Sequence, residues 1–129
     1  MATTYSIGLL RDFVAQHYLI GGDWGRENDP HSHHYRLEAV FEGEALDRHG
    51  YLADISVVEP RLDEVVARYR DKMLNDLPEF GDQNPSLERF AAAIVDRVVE
   101  PLRGGGVRVL TVKLWESDTA YASCRRALG

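Results

Sequence analysis

Three histidines have the spacing of a metal site. His31 and His33 are separated by one residue, and His17 ends a strand-like segment at 13–17. Because side chains alternate between the faces of an extended segment, His31 and His33 point the same way and can share one ion. Three imidazoles without a fourth protein ligand are typical of a catalytic zinc site, whose open position takes water or substrate. Taken alone, the three residues fit either zinc ligands or polar surface.

Composition and charge narrow the class of protein. The chain has 129 residues, 44% of them hydrophobic, which predicts one domain over residues 1–129 with a core of its own. The one cysteine, Cys124, is typical of a reducing compartment. No apolar run approaches the roughly 20 residues of a membrane span, so we expect a cytoplasmic protein with no membrane partner. A net charge of −6 would steer a phosphate backbone poorly, so we expect no nucleic-acid partner.

The elements that must position the histidines follow one another as strands, helices and strands. A first strand is predicted within 4–16, and in the second Tyr35, Leu37, Ala39 and Phe41 share one face with His33. A short apolar segment at 51–55 is a candidate further strand. Strands are also predicted at 107–116 and 119–125. The order ββ(β)ααββ predicts an α+β domain with both helices on one face of an antiparallel sheet.

Two amphipathic helices are predicted between the strands. The apolar residues of the first recur at helical spacing: Leu62, Val65, Val66, Tyr69 and Met73. Ser56 and Glu59 fit a capping box at its start, Asp54 is a candidate for its entrance, and Asp71 falls at its end. The second helix is predicted to begin at Pro85, with this apolar face: Leu87, Phe90, Ala91, Ile94, Val95 and Val98. A glycine triplet at 104–106 is predicted to end it.

Six short motifs in register give the chain a family resemblance. They are Phe13-x-Ala15-x-His17, His31-x-His33-x-Tyr35, Gly50-Tyr51-Leu52-x-Asp54, Leu74-Asn75-Asp76, Asn84-Pro85-Ser86-x-Glu88 and Trp115-Glu116-Ser117. The chain resembles the family of 6-pyruvoyltetrahydropterin synthase and 6-carboxytetrahydropterin synthase. The resemblance implies the T-fold, a four-stranded antiparallel sheet with two helices on one side. It also implies a homohexamer with active sites between subunits.

The resemblance assigns roles to particular residues. It implies that His17, His31 and His33 bind zinc, and that Glu116 anchors a pterin-like small molecule. The pyrimidinone edge of a pterin presents two adjacent N–H donors, which one carboxylate can accept side by side. Without the family pattern, Glu116 would be interpreted as an ordinary carboxylate at the end of a strand; the pattern favours the anchor.

The departures from the family pattern concern the catalytic groups. Glu27 stands where the family has a catalytic cysteine, Arg70 and Asp71 stand where it has an Asp-His pair, and Ser32 replaces a glycine between two ligands. A general acid or base contributes about 10²- to 10⁴-fold to a rate, so efficient turnover by the standard synthase reaction is not expected.

Two functions therefore remain open. In the first, the chain is a pterin-binding protein that has lost the synthase chemistry. In the second, it is a zinc-dependent lyase that uses Glu27 as acid or base, as does a branch of the family that converts dihydroneopterin triphosphate to a 6-hydroxymethylpterin. Asp71 is a candidate substitute catalytic residue. The alternatives are that Glu27 belongs to a solvated loop and that Asp71 is an ordinary charge at a helix end.

Overall fold

Four antiparallel strands form one sheet in the computed structural model, which describes residues 3–129. The strands are β1 (Tyr5–His17), β2 (His31–Gly43), β3 (Val109–Trp115) and β4 (Tyr121–Ala127), and they are neighbours in that order. Between β2 and β3 lie the helices α1 (Ile55–Tyr69) and α2 (Leu87–Val98). Short 3-10 turns occur at Gly25–Asn28, Leu74–Asp76 and Glu100–Leu102. The predicted α+β architecture is confirmed.

One face of the sheet carries the core. The predicted inward residues of β2 are at most 1% exposed: Tyr35, Leu37, Ala39 and Phe41. The register sets Phe13 of β1 opposite Tyr35, and Leu114 of β3 opposite Leu37, so apolar residues meet across neighbouring strands. Both helices cover this face, with α2 on β3 and β4 and α1 on β1 and α2. Among residues 3–129, the exposed side chains on the opposite face of the sheet are mixed in polarity and include Leu10, Asp12 and Val14.

Three local predictions are wrong, because side-chain caps decide where the two helices begin. No strand forms at 51–55; instead Asp54 caps α1 by accepting from the Ser56 N–H at 3.0 Å. The predicted Ser56–Glu59 capping box is therefore not formed. Helix α2 begins after Pro85, because the Ser86 hydroxyl caps it by accepting from the Arg89 N–H at 3.2 Å.

Two helix ends also differ from the prediction. Helix α1 stops at Tyr69, and Asp71 lies beyond it with a left-handed φ of 59°. The segment leaves the helix because it pairs with the outer edge of β1: the Asp71 N–H donates to the Val14 carbonyl at 2.7 Å, and the Gln16 N–H donates to the Lys72 carbonyl at 2.9 Å. Helix α2 ends at Val98, and a 3-10 turn separates it from the glycine triplet.

Candidate metal and ligand site

The three predicted metal ligands meet where the β1–β2 hairpin leaves the core. His17 is paired with His31 across the two strands, and His33 lies opposite Ala15. All three imidazoles lie on the core face, with ring centroids 4.5 Å apart for His17 and His31 and 4.9 Å apart for each of the other pairs. One nitrogen from each ring lies within 4.8 Å of the others. The strand alternation thus brings all three donor atoms to one point.

Backbone carbonyls orient two of the three rings. The Nδ1 of His31 lies 2.9 Å from the Asp29 carbonyl oxygen, and the Nδ1 of His17 lies 3.3 Å from the Pro85 carbonyl oxygen. A carbonyl only accepts, so each Nδ1 carries the proton and each Nε2 keeps a free lone pair. Zinc-binding histidines characteristically donate their second nitrogen to such a partner. His17 and His31 therefore keep Nε2 free for a metal ion, and the three rings form a group that could hold one.

Burial favours the neutral form of His17. Its side chain is 6% exposed, and this burial is the main cause that lowers its pKa below the ordinary value. Neighbouring His31 and His33 lower that pKa further, because a positive charge on one ring disfavours a positive charge on the next. Neutral imidazole is the form that binds metal.

A cavity of about 340 Å³ adjoins the histidines. Its walls include two of the histidines and three carboxylates from separate elements: His17, His33, Glu27, Glu88 and Glu116. A cavity with convergent polar groups beside a potential metal site is a typical ligand site.

Glu116 lies in the turn between β3 and β4. Its N–H donates to the Ala120 carbonyl at 3.2 Å, which closes the turn and fixes the backbone from which the half-buried carboxylate projects. Tyr35 lies close enough for the Glu116 charge to raise the phenol pKa, although burial is the larger cause of that shift. The aromatic rings of Trp115 and Tyr121 flank the turn with centroids 4.5 Å apart.

Glu27 reaches the cavity from the 3-10 turn Gly25–Asn28. Its side chain is exposed, whereas its backbone is held: the Glu27 carbonyl accepts from the Leu19 N–H at 2.8 Å, and its own N–H donates to the Trp24 carbonyl at 3.3 Å. The exposed carboxylate therefore projects from a backbone that is held on both sides.

The family model for 6-pyruvoyl tetrahydropterin synthase matches residues 6–127 of the chain. The chain belongs to this family. No curated protein sequence matches it. Among solved structures, the 6-pyruvoyl tetrahydropterin synthase of Caenorhabditis elegans is similar, with a TM-score of 0.80 at 16% identity over 98% of each chain.

Two further structures extend the comparison. A catalytic-residue mutant of Plasmodium vivax 6-pyruvoyltetrahydropterin synthase has a TM-score of 0.81 at 14% identity, covering 98% of this chain and 99% of that one. A dihydroneopterin aldolase from Burkholderia thailendensis, bound to guanine, has a TM-score of 0.50 at 10% identity over 98% of this chain and 93% of that one. At these identities the likeness shows a shared fold, and the T-fold prediction is confirmed.

Other residues singled out in this family member lie away from the cavity. Asp71 is exposed at the outer edge of β1 and is not among the residues in 3–129 that line the cavity. His34 points to the opposite face of the sheet, as its position in β2 predicts, with its Nε2 3.3 Å from an Asp12 oxygen. Cys124 is half-buried on the core side of β4, opposite Val112.

Sequence reasoning missed the part that Glu88 plays in the cavity. The motif Asn84-Pro85-Ser86-x-Glu88 is visible in the sequence, but nothing in it shows that the first turn of α2 faces the histidines. The clue is indirect: Ser86 caps the helix, and the residue two positions later must project from its first turn. Only the packing of α2 on the sheet brings that carboxylate to the cavity.

Within the described residues, no helix is both long and apolar enough to cross a membrane.

Proposed function

We propose that this family member binds a pterin-like ring through Glu116, beside a zinc ion held by His17, His31 and His33. The observation that carries the proposal is a shared cavity: Glu116, His17 and His33 line the same space. A ligand anchored at Glu116 would extend its side chain towards the imidazoles. The similar aldolase is bound to guanine, which has the two adjacent ring donors that a pterin also has.

The donor set supports zinc in particular. Three imidazole nitrogens leave one tetrahedral position for an oxygen of the ligand, and zinc accepts this coordination readily. The carbonyl partners of His17 and His31 hold the rings in the tautomer that coordination needs. When bound, the ion supplies Lewis acidity to oxygens of the substrate side chain.

A second candidate function adds catalysis by Glu27. The position of Glu27 at the same cavity favours this function. The carboxylate is suited to take the proton of a hydroxyl on the second side-chain carbon. The bond between the first and second side-chain carbons then breaks, its electron pair is taken up by the ring imine, and a proton returns to the first carbon. The products are a 6-hydroxymethylpterin and an aldehyde. The substrate class is a dihydroneopterin triphosphate-like pterin.

Carboxylate catalysis also has a precedent in proteins of this fold. Two of the similar structures are Plasmodium vivax 6-pyruvoyltetrahydropterin synthases in which a catalytic glutamate was replaced, by alanine in one and by cysteine in the other. This supports a carboxylate as the catalytic group of a family member. It does so by analogy, since the identity is 14%.

We also propose that residues 1–129 form one domain that assembles into a homohexamer. Asp71 would then serve as a catalytic residue by entering the site of a neighbouring subunit, because it lies on the outer edge of its own sheet. An active site between subunits is the arrangement implied by the family resemblance.

The decisive experiment is a product assay with the zinc-loaded protein and dihydroneopterin triphosphate. We expect a 6-hydroxymethylpterin from the wild type and at least about 100-fold less from Glu27→Gln, because the amide keeps the shape but cannot take a proton. Pterin affinity should be unchanged in this variant. Binding without any product would leave the chain as a binding protein, and full activity of Glu27→Gln would remove Glu27 from the reaction.

A further inference from the structure

Side-chain amides hold the segment that leaves β1 immediately after His17. The Tyr18 N–H donates to the Asn75 Oδ1 at 3.0 Å, and the Asn75 Nδ2 donates back to the Tyr18 carbonyl at 2.9 Å. Two residues later, the Ile20 N–H donates to the Asn84 Oδ1 at 2.7 Å, and the Asn84 Nδ2 donates to the Ile20 carbonyl at 3.1 Å. Each amide thus reproduces the donor and acceptor of a neighbouring strand residue.

The opposite edge of the same segment is bonded to the turn that carries Glu27. The Leu19 N–H donates to the Glu27 carbonyl at 2.8 Å, and the Asn28 Nδ2 donates to the Leu19 carbonyl at 3.0 Å. Asn28 also folds the loop on itself: its Nδ2 donates to the Gly22 carbonyl at 3.0 Å, and its Oδ1 accepts from the Trp24 N–H at 2.7 Å.

These contacts involve every asparagine in the chain, since Asn28, Asn75 and Asn84 are the three that the sequence contains. Residues 18–20 are half-buried and have no strand on either side, so their backbone groups need other partners. We call Asn28, Asn75 and Asn84 the asparagine clamp. Its members lie on separate loops, which the clamp fastens to the end of β1.

The clamp connects the turn that carries Glu27 to the histidine cluster. His17 directly precedes the clamped segment, and its Nδ1 partner is the carbonyl of Pro85, the residue after Asn84. On the other edge, Asn28 follows Glu27. Residues 18–20 therefore connect the Glu27 backbone to the end of β1 that carries the His17 ring.

We infer that the asparagine clamp positions Glu27 against the metal site, and that Asn28 is the positioning residue nearest to the chemistry. This inference rests on the proposed function, because it assigns Glu27 a place that only the lyase reading uses. Asn28 does not line the cavity itself. It acts by holding the carbonyl and turn from which the Glu27 carboxylate projects.

The kinetic test compares Asn28→Ala with the wild type, both loaded with zinc. We expect kcat for pterin side-chain cleavage to fall about 10- to 100-fold, since a misplacement near 1 Å costs about that much. KM should stay the same, because Glu116 is held by the separate β3–β4 turn. Asn28→Asp, which keeps the acceptor for Trp24 but loses both Nδ2 donors, should change kcat in the same direction and serves if the alanine variant does not fold.

Gln16→Ala is the matched control. It removes a side-chain amide next to His17 whose contact is a 3.4 Å bond to the Ser32 hydroxyl on the other face of the sheet. We expect wild-type kcat and KM. A purely structural clamp would lower the melting temperature of Asn28→Ala and leave kcat per folded molecule unchanged, and that result would overturn the inference.

A second readout does not depend on activity. In the zinc-loaded protein, amide hydrogen exchange at Leu19 should become at least about 10-fold faster in Asn28→Ala, while Tyr18 and Ile20 stay protected by their own asparagines. Unchanged exchange at Leu19 would overturn the clamp whatever the activity. A wild type without turnover would instead overturn the lyase proposal, and the exchange data would still decide whether Asn28 fixes the Glu27 turn.

Discussion

At the scale of single residues, the carboxylate of Glu116 and the imidazoles perform separable tasks, because they project from different hairpins. Glu116 belongs to the β3–β4 turn, whereas His17, His31 and His33 belong to β1 and β2. Replacing Glu116 should therefore weaken ligand binding without affecting metal binding.

Glu116→Gln should weaken every pterin-like ligand. The amide keeps one acceptor but sets an NH₂ donor against a ring donor of the ligand. Losing a charge-assisted pair of hydrogen bonds costs about 2–4 kcal/mol, which is roughly 30- to 1,000-fold in affinity. Calorimetry with a simple pterin and with guanine would measure the loss.

Glu88→Gln is the matched comparison, because it alters another carboxylate at the same cavity without removing the proposed anchor. We expect a smaller loss of pterin affinity than in Glu116→Gln. Equal pterin affinity in Glu116→Gln and the wild type would refute the anchor.

His31→Ala should abolish stoichiometric zinc retention after loading and desalting. Two imidazoles remain, and a site that loses one of three protein ligands binds zinc far more weakly. Elemental analysis of the desalted protein gives the ratio of zinc to chain. His34→Ala is the control: this neighbouring histidine faces away from the cluster, so zinc retention should be unchanged. Retention in His31→Ala equal to the wild type would exclude the three-histidine site.

That His31 and His33 lie side by side could be predicted from the sequence, because strand alternation places both on one face. The contacts of Asn28 could not be predicted, because Leu19, Gly22 and Trp24 are brought to it by the fold of a loop that has no periodic pattern. Sequence periodicity identifies side chains that a single strand places on one face. It does not identify groups that separate loops bring together.

At the scale of elements, Glu79 joins α1 and α2 to the segment between them. Its carboxylate accepts from Arg68 through Nε at 2.8 Å and Nη2 at 2.6 Å, and from the Tyr69 hydroxyl at 2.7 Å. Arg97 of α2 lies 3.3 Å from the same carboxylate. The Arg68 guanidinium is the main cause that lowers the pKa of Glu79 to about 2, against an opposing effect of burial.

Glu79→Gln should therefore lower the free energy of unfolding by about 1–3 kcal/mol at pH 7. The folded-state pKa lies below the unfolded one, so this stability is present above the unfolded pKa and is lost as the pH falls towards about 2. Urea unfolding at equal protein concentration, at pH 7 and pH 3, should show the difference between variant and wild type shrinking at the lower pH.

Glu64→Gln provides the control for this experiment. Glu64 pairs with Arg61 at 3.3 Å on an exposed part of α1, and such pairs contribute little to stability. We expect a change within about 0.5 kcal/mol at both pH values. A Glu79→Gln effect as small as that of Glu64→Gln, or one independent of pH, would contradict the role given to the half-buried network around Glu79.

The elements themselves were largely predictable, and their ends were not. Alternation identified the inward face of β2 because a half-buried strand must alternate, and both helical faces followed from apolar spacing. The end of α1 was mispredicted because Asp71 bonds to Val14 on a strand 57 residues earlier in the chain. Helix periodicity carries no information about such a partner.

At the scale of the whole molecule, the sheet has two outer edges. Along β1 the Val14 carbonyl and the Gln16 N–H already bond to the 71–72 segment, so by alternation the even-numbered residues of β1 direct their backbone groups outward. At the ends of β4, the Ala120 carbonyl accepts from the Glu116 N–H and the Leu128 N–H donates to the Arg108 carbonyl. Because even-numbered residues bond towards β3, the backbone N–H and C=O groups of the odd-numbered residues of β4 point to the outer edge. Unpaired edges favour association with another chain, which supports the proposed hexamer.

Ser123→Pro should weaken this assembly. Ser123 is an outward-facing residue of β4, and proline removes its N–H donor without affecting the bonds of β4 to β3. We expect sedimentation at micromolar concentration to show a hexamer of the 14.6 kDa chain for the wild type and smaller species for the variant. Ser123→Ala keeps the N–H and should remain a hexamer. A wild-type monomer that binds pterin would contradict the shared site.

The proposed site between subunits makes a prediction about mixtures. If Glu27 and Asp71 act in one site from different chains, Glu27→Gln and Asp71→Asn should each lose activity, and refolding the two together should restore part of it. An intact site needs its Glu27 from an Asp71→Asn chain and its Asp71 from a Glu27→Gln chain. In an equal random mixture each of these has a probability of one half, so roughly a quarter of the sites are intact. Mixing the folded variants without exchange of subunits is the control and should restore nothing. No recovery after joint refolding would place both residues in one chain's site, and full activity of Asp71→Asn alone would remove Asp71 from catalysis.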